Sequence, residues 1–274
     1  MSILPSVESL ADRIPDGVRL AVIKNRSGVA MAATHALLRR GVKDLHLIGV
    51  PTSGLQADLL IGVGAVRTIE AAGVTLDEFG QAPCFGRAVK RGQVKLMDST
   101  CPAVYAGLQA AEKGLPFMPL RGLVGSDIQR FRPDWKAIQN PFSEAADPIV
   151  LLPAIRPDVA LFHAKMADRE GNVWIGNQRE CMLMAHAAQQ AFVTVERIVD
   201  EPLLLDEKLA PATIPSIYVS GVAVAKRGGW PLSLPGAYEE DGDHLALYAR
   251  MAATEEGFAR YLAEFVLHAR AAAE

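Results

Sequence analysis

Three cysteines in 274 residues is little, and Cys84, Cys101 and Cys181 stand far apart with no Cys-x-x-Cys spacing. That rules out a disulfide framework and a cysteine-built zinc site, and it suits a reducing cytoplasm. Excess charge of one sign is missing too: 28 Lys and Arg against 31 Asp and Glu leave a net charge of −3. Without a basic stripe there is no footprint for nucleic acid. No run approaches the roughly 20 apolar residues of a membrane-spanning helix. The N-terminus lacks a basic start followed by an apolar stretch, so no signal peptide is expected. Repeats, low-complexity tracts and obvious linkers are also absent. What the chain does have is apolar substance: half of its residues are hydrophobic, enough to bury a sizeable core. The expectation is a soluble cytoplasmic protein of one domain, residues 1–274.

The order of segments narrows the fold. VRLAVI (18–23) reads as a buried strand. Ser27 and Gly28 open the next helix, VAMAATHALLRR, and Gly41 stops it, because Ser caps helix starts and Gly helix ends. DLHLIGV (44–50) is a second strand, ending in the turn PTSG. LQADLLIGVG then reads as a short helix, VRTIEA as a strand, FGRAVKRG as a helix and VKLMD (94–98) as a strand. PAVYAGLQAAEKG is a helix with Pro102 at its start and Gly114 at its end. LPFMPLRG is a further short strand with a loop. Such alternation implies right-handed crossovers and a parallel sheet. Near residue 130 the pattern changes. DWKAIQNPF and DPIVLLPAI are extended and Pro-rich, with no helix between them. A helix (NQRECMLMAHAAQQ), the strands AFVTVERIV and SIYVSGVAVA, and one long amphipathic helix from Asp243 onward complete the chain. The expected fold is α/β, with an open, largely parallel mixed sheet, helices on both faces and a long C-terminal helix.

Between the Pro-rich segments and that last helix lies PDVALFHAKMADREGNVWIG (157–176), two strands around a tight turn. Gly171 can take the positive φ that other residues resist, and Asp168 and Asn172 can bond nearby backbone. The turn is therefore structural, or else Asn172 and the turn backbone face a ligand. A Pro-Asp-Val strand, a His, then Ala-Asp-x-x-Gly-Asn resembles the signature of the alpha subunits of family I coenzyme A transferases. ADLLIGVGAVRTIEAAG (57–73), LPFMPLRGLVGSD (115–127) and VTVERIVD (193–200) resemble further segments of that family, in the same order and in its glutaconate-type branch. The similarity spans roughly residues 10–200. It implies the transferase fold, which is sugar-isomerase-like, with coenzyme A as a substrate and no metal. It also implies an acyl-CoA and a small carboxylic acid as ligands and, as partner in a heterodimer or heterotetramer, a beta-type subunit. KNRSGVA (24–30) stands where the acetoacetate-type branch carries a glycine-rich coenzyme loop, and keeps Gly28.

Coenzyme A transfer in the family runs through a Glu that attacks the acyl thioester, which divides one hard exchange into easier steps. The family places that Glu in a Ser-Glu-Asn-Gly-like turn of the beta half. Here the nearest acidic turn, YEEDGD (238–243), does not match. Glu70, Glu112 and Glu180 fall within expected helices and strands and read as solvated. Single-chain members are about twice this length. The resemblance therefore implies an alpha subunit, with the nucleophilic Glu on the partner and no catalytic residue assigned in this chain. Three loops past strand ends are candidate contacts. Lys24 and Arg26 can meet coenzyme phosphates, and Ser27 with Gly28 sits where a helix N-terminus favours anions. Thr52 and Ser53 follow the second strand. Arg121, Gly125 and Ser126 follow a short strand, and Arg121 either forks a substrate carboxylate or pairs with Asp127 or a neighbour. Asn172 completes the set.

Weaker signals are set aside. GVGAVR (62–67) lacks the third glycine of a dinucleotide fingerprint, so NAD is not expected. His163 reads as a satisfied core histidine, and His35, His46 and His186 show no metal-ligand spacing. The turn Asp98-Ser99-Thr100-Cys101 lacks the Glu that a related branch, the ring-opening hydrolases of steroid breakdown, carries near there. Two other readings stay open: a CoA-thioester hydrolase subunit, and a metabolite-binding protein on the same kind of sheet.

Overall fold

The structure, a computed structural model, describes residues 2–24 and 26–267. Its strands are β1 (Ser2–Ile3), β2 (Arg19–Ile23), β3 (Leu45–Val50), β4 (Val66–Ala71), β5 (Lys95–Asp98), β6 (Phe117–Leu120), β7 (Lys136–Gln139), β8 (Pro148–Pro153), β9 (Val159–Asp168), β10 (Val173–Trp174), β11 (Gln190–Val199), β12 (Thr213–Ile214) and β13 (Gly221–Val224). The α-helices are α1 (Val7–Ala11), α2 (Met31–Arg40), α3 (Leu55–Gly62), α4 (Pro83–Lys90), α5 (Cys101–Glu112), α6 (Ile128–Phe131), α7 (Arg179–Ala187), α8 (Gly242–Met251) and α9 (Glu255–Leu262). The main sheet runs β1-β13-β11-β9-β2-β3-β4-β5 with every neighbouring pair parallel. β10 folds back antiparallel onto β9, and β12 onto β10. Leu20, Val22, Leu47, Ile48, Leu161, Phe162 and Val193 are fully buried. Such near-continuous apolar runs belong to strands covered on both faces.

Five expectations are corrected. β6 does not join the main sheet. It pairs with β8, and β8 with β7, in a separate antiparallel sheet of three strands. No helix separates β7 from β8, and the four-residue α6 between β6 and β7 is too short for a crossover onto a parallel edge. The small sheet packs on α5 through Ala103, Ala106, Trp135, Val150 and Leu152. α2 begins at Met31 with Ala30 at its N-cap, without a side-chain cap. The Ser27–Gly28 stretch bonds elsewhere: the Gly28 N–H goes to the Ser233 carbonyl. Gly41 does end α2, at φ 76°.

In SIYVSGVAVA only Gly221–Val224 is a strand, because Ser216–Tyr218 forms a 3-10 turn behind Pro215. The C-terminal helix is present, but as two short pieces among the described residues. Asp241 caps α8 through the His244 N–H, and Thr254 caps α9 through the Gly257 N–H. The break lets Tyr248 and Tyr261 both turn inward, with ring centroids 4.8 Å apart.

Glu70, read as solvated, is also placed differently. Its side chain is 3% exposed beneath the small sheet, 2.9 Å from Arg132 and 3.3 Å from His46. Arg132 also pairs with Asp134 at 2.8 Å and lies over the Trp135 ring. The cluster joins the small sheet to β3 and β4.

Candidate active site

Chain order in the main sheet reverses at β2 and β9. From β2 the chain builds outward to β5; from β9 it builds the other way. Loops past the carboxyl ends of such strands diverge and leave a crevice. The crevice here is a cleft of about 900 Å³, within the size range of small-molecule sites. Its lining comes from α5 (Tyr105, Gln109), from Lys165 on β9, from the start of α7 (Gln178, Glu180) and from the loop at Leu234 and Pro235.

The loop after β2 bonds two side chains of this lining. Lys24 Nζ donates to Glu180 Oε1 at 3.2 Å, and the Tyr105 hydroxyl lies 3.5 Å from the same oxygen. Burial, then the neighbouring Glu180 charge, pushes the Tyr105 phenol up to about 12, so it stays a donor. Ser27 Oγ accepts from Gln178 Nε2 at 3.2 Å. Gly28 has φ +69°, and the Gln178 amide lies 2.3 Å from where a Cβ would stand. Its carbonyl accepts the His163 N–H at 2.7 Å. Glycine is therefore required there by both conformation and space. Arg26 next door is held by Glu240, at 2.9 Å from Nε, and by Glu78.

Of the residues singled out in the sequence, Lys24, Ser27 and Gly28 thus lie behind the cleft's lining, in contact with Glu180 and Gln178, with Arg26 beside them. The others lie apart. Ser53 is buried behind β3, its N–H on the Gly73 carbonyl and its own carbonyl on the Thr75 N–H; Thr52 precedes it. Arg121 forks the Asp147 carboxylate on the small sheet, at 2.9 and 2.6 Å. Arg121 and Asn140 hold that carboxyl down at about 2. Asp127 pairs with Arg130. Gly125 (φ 78°) and Ser126, whose hydroxyl bonds the Leu123 carbonyl, shape the same loop.

Asn172 is buried, and its amide is spent on structure. Nδ2 donates to Asp168 Oδ2 at 2.8 Å, and Oδ1 accepts from the Ser216 N–H at 2.8 Å. The question raised by the turn has its answer here: Asp168 and Asn172 form a knot that ties β9 to the segments at Leu203 and Ser216. The sequence reading missed Tyr105, Lys165, Gln178 and Glu180 as cleft residues. Lys165 carried a signal, a cation within an otherwise apolar strand. Glu180 did too, an acid in the first turn of α7, just past a tight strand pair.

Among the described residues, no group of three His, Cys, Asp or Glu side chains is placed to hold a metal ion. No described helix is long and apolar enough to cross a membrane.

A parallel sheet that reverses order at its centre, with a cleft at that point, agrees with what comparison finds. Residues 6–225 match the family model Coenzyme A transferase, and the chain belongs to that family. Over 94% of its length it is 31% identical to one subunit of the 3-oxoadipate CoA-transferase of Pseudomonas knackmussii, covering 91% of that protein. It is 30% identical to the cholesterol ring-cleaving hydrolase IpdA subunit of Rhodococcus jostii, over 86% of this chain and 82% of that one. Among solved structures, glutaconate coenzyme A-transferase from Acidaminococcus fermentans is similar with a TM-score of 0.85 and 26% identity, over 97% of this chain and 89% of that one. The family resemblance and the fold class read from the sequence are both borne out.

Proposed function

We propose that this chain is the alpha subunit of an acyl-CoA:carboxylate coenzyme A transferase that works with a beta-type subunit. The observation that carries this reading is the state of the acids in the cleft. Its two carboxylates, Glu112 and Glu180, are each engaged by a base: His186 at 3.2 Å and Lys24 at 3.2 Å. A carboxylate already engaged by a neighbouring side chain is a poor nucleophile, so in this reading the attacking Glu comes from the partner. Its oxygen attacks the thioester carbonyl, the C–S bond breaks, and coenzyme A leaves as thiolate. The thiolate then attacks the glutamyl carbonyl of the anhydride and releases the first acid. The enzyme thioester passes coenzyme A to the second acid by the reverse steps. This chain supplies binding: Lys165, Arg179 and Lys208 face the cleft, where phosphates need cations. Arg26 and Arg121 enter as contacts only if an anion displaces Glu240 or Asp147.

The similarity to a ring-cleaving hydrolase subunit favours a second reading, in which water replaces the acceptor acid. One experiment separates the two. The chain is assayed alone and with the product of a neighbouring gene of beta type, with succinyl-CoA as donor and acetate or 3-oxoadipate as acceptor. The expected outcome is no turnover alone and acceptor-dependent transfer in the pair. Free acid formed at the same rate without acceptor would establish the hydrolase, and full activity of the isolated chain would overturn partner dependence.

A further inference from the structure

Beneath the loop that borders the cleft lies a buried pair. His163 on β9 is fully buried. Its Nε2 lies 2.8 Å from Glu196 Oε1 on the neighbouring β11, and its Nδ1 lies 2.8 Å from the Thr194 hydroxyl. A carboxylate only accepts, so the imidazole donates from Nε2 to Glu196, while Nδ1 shares a hydrogen bond with the Thr194 hydroxyl. Glu196 accepts two more bonds, from the Arg227 N–H at 2.8 Å and the Gly228 N–H at 3.3 Å. Burial pushes this carboxyl up, but the His163 and Arg227 bonds outweigh it and hold it below its ordinary value.

The loop lies flat on the imidazole. A Cβ on Gly228 would come within 2.8 Å of His163 Cε1 and 2.7 Å of the Ala225 Cβ. Two glycines in succession, Gly228 and Gly229, make that approach possible. Further along, Ser233 gives its N–H and its hydroxyl to the Arg26 carbonyl, at 3.0 and 2.9 Å, and takes the Gly28 N–H at 3.2 Å. Leu234 and Pro235 line the cleft, and the Gly236 carbonyl takes the Lys165 ammonium at 2.7 Å. Glu196 therefore ties down the start of the 225–236 loop, and Ser233 joins the far part of that loop to the Arg26–Gly28 backbone.

We propose that Glu196, oriented by His163, is the positioning residue of the cleft: it seats the 225–236 loop, and through it the Ser27–Gly28 backbone, for binding of coenzyme A. The inference rests on the coenzyme A reading for its ligand, not for the seating itself. Glu196→Gln keeps the shape but turns an NH2 group against an N–H donor. The test uses the protein as isolated from its host, with whatever subunit it carries, and has two arms. In the first, amide hydrogen exchange over 226–236 should rise by about tenfold or more in the variant. In the second, calorimetry should find coenzyme A bound about tenfold more weakly, with the melting temperature lower by only a few degrees. Gly228→Ala, which keeps both side chains and lifts the loop, should reproduce the affinity loss. Unchanged exchange in Glu196→Gln overturns the proposal. So does raised exchange with full affinity, or an unfolded Glu196→Gln beside a Gly228→Ala that binds normally. If the unaltered protein binds no coenzyme A, the functional reading fails, and the exchange arm alone decides the seating.

Discussion

Replacing Asn172 by Asp exchanges a donating NH2 for an oxygen and adds one charge, and its surroundings accommodate neither. Nδ2 faces Asp168 Oδ2 at 2.8 Å in a buried knot. In Asn172→Asp two carboxylates would meet there. The expected cost at pH 7 is about 2–4 kcal/mol, the range for a buried polar bond lost with an unpaired charge left behind. It should shrink as the pH falls far enough to protonate one member of the pair. Urea titrations at pH 7 and at mildly acid pH check this, and an unchanged midpoint at pH 7 would refute it. Gly28→Ala adds a methyl where φ is +69° and the Gln178 amide is 2.3 Å away. A loss of about 1 kcal/mol or more is expected from the backbone alone, together with a shifted Gln178 in the cleft. Thermal melting reads the first effect. The turn chemistry of Asp168, Gly171 and Asn172 was legible in the sequence because an Asx turn is local. What Asn172 does with its amide was not, because the Ser216 N–H that donates to its oxygen comes 44 residues later.

Between elements, the joint that holds the small sheet depends on charge. Burial pushes the Glu70 carboxyl up, but His46 and Arg132 outweigh it and set it below its ordinary value. A carboxyl lower in the folded than in the unfolded chain adds stability above the unfolded value of about 4.3. That stability fades as the pH drops through the folded value. Arg132→Met removes the cation and leaves a buried charge, at a cost of about 3–5 kcal/mol near neutrality. In that variant the deficit should narrow on acidification, since a protonated Glu70 needs no partner. Chemical denaturation from pH 4 to pH 7 measures it, and a deficit independent of pH would mean that Arg132 acts by packing on Trp135. Glu70 looked like a surface acid because a strand pattern says nothing about what docks on its face. The cation that covers it stands 62 residues on. The C-terminal helix was legible but its length was not: its amphipathic stripe was visible, but the break at Thr254 serves two tyrosines that must point inward together.

Across the whole molecule, strand–helix alternation up to β5 was readable because each crossover is a local unit. The strand order was not, since β9 reaches the centre of the sheet only through a contact with β2 made far along the chain. The Arg19 N–H bonds the Asp158 carboxylate at 2.7 Å across 139 residues. During refolding followed by pulsed amide exchange, protection of β2 and β3 is therefore expected to precede protection of His163 N–H, which closes on the Gly28 carbonyl. Simultaneous protection of both would refute that order.

The same geometry has a consequence for synthesis on the ribosome. β2 emerges early and gains β3 on one side almost at once. Its other edge then waits until residue 159 is made, on the order of ten seconds at ordinary translation rates. For that time the middle of the future sheet is an open edge of apolar strand, the kind of surface that recruits other chains. Nascent chains stalled between β5 and β9 should be the form that most needs a chaperone.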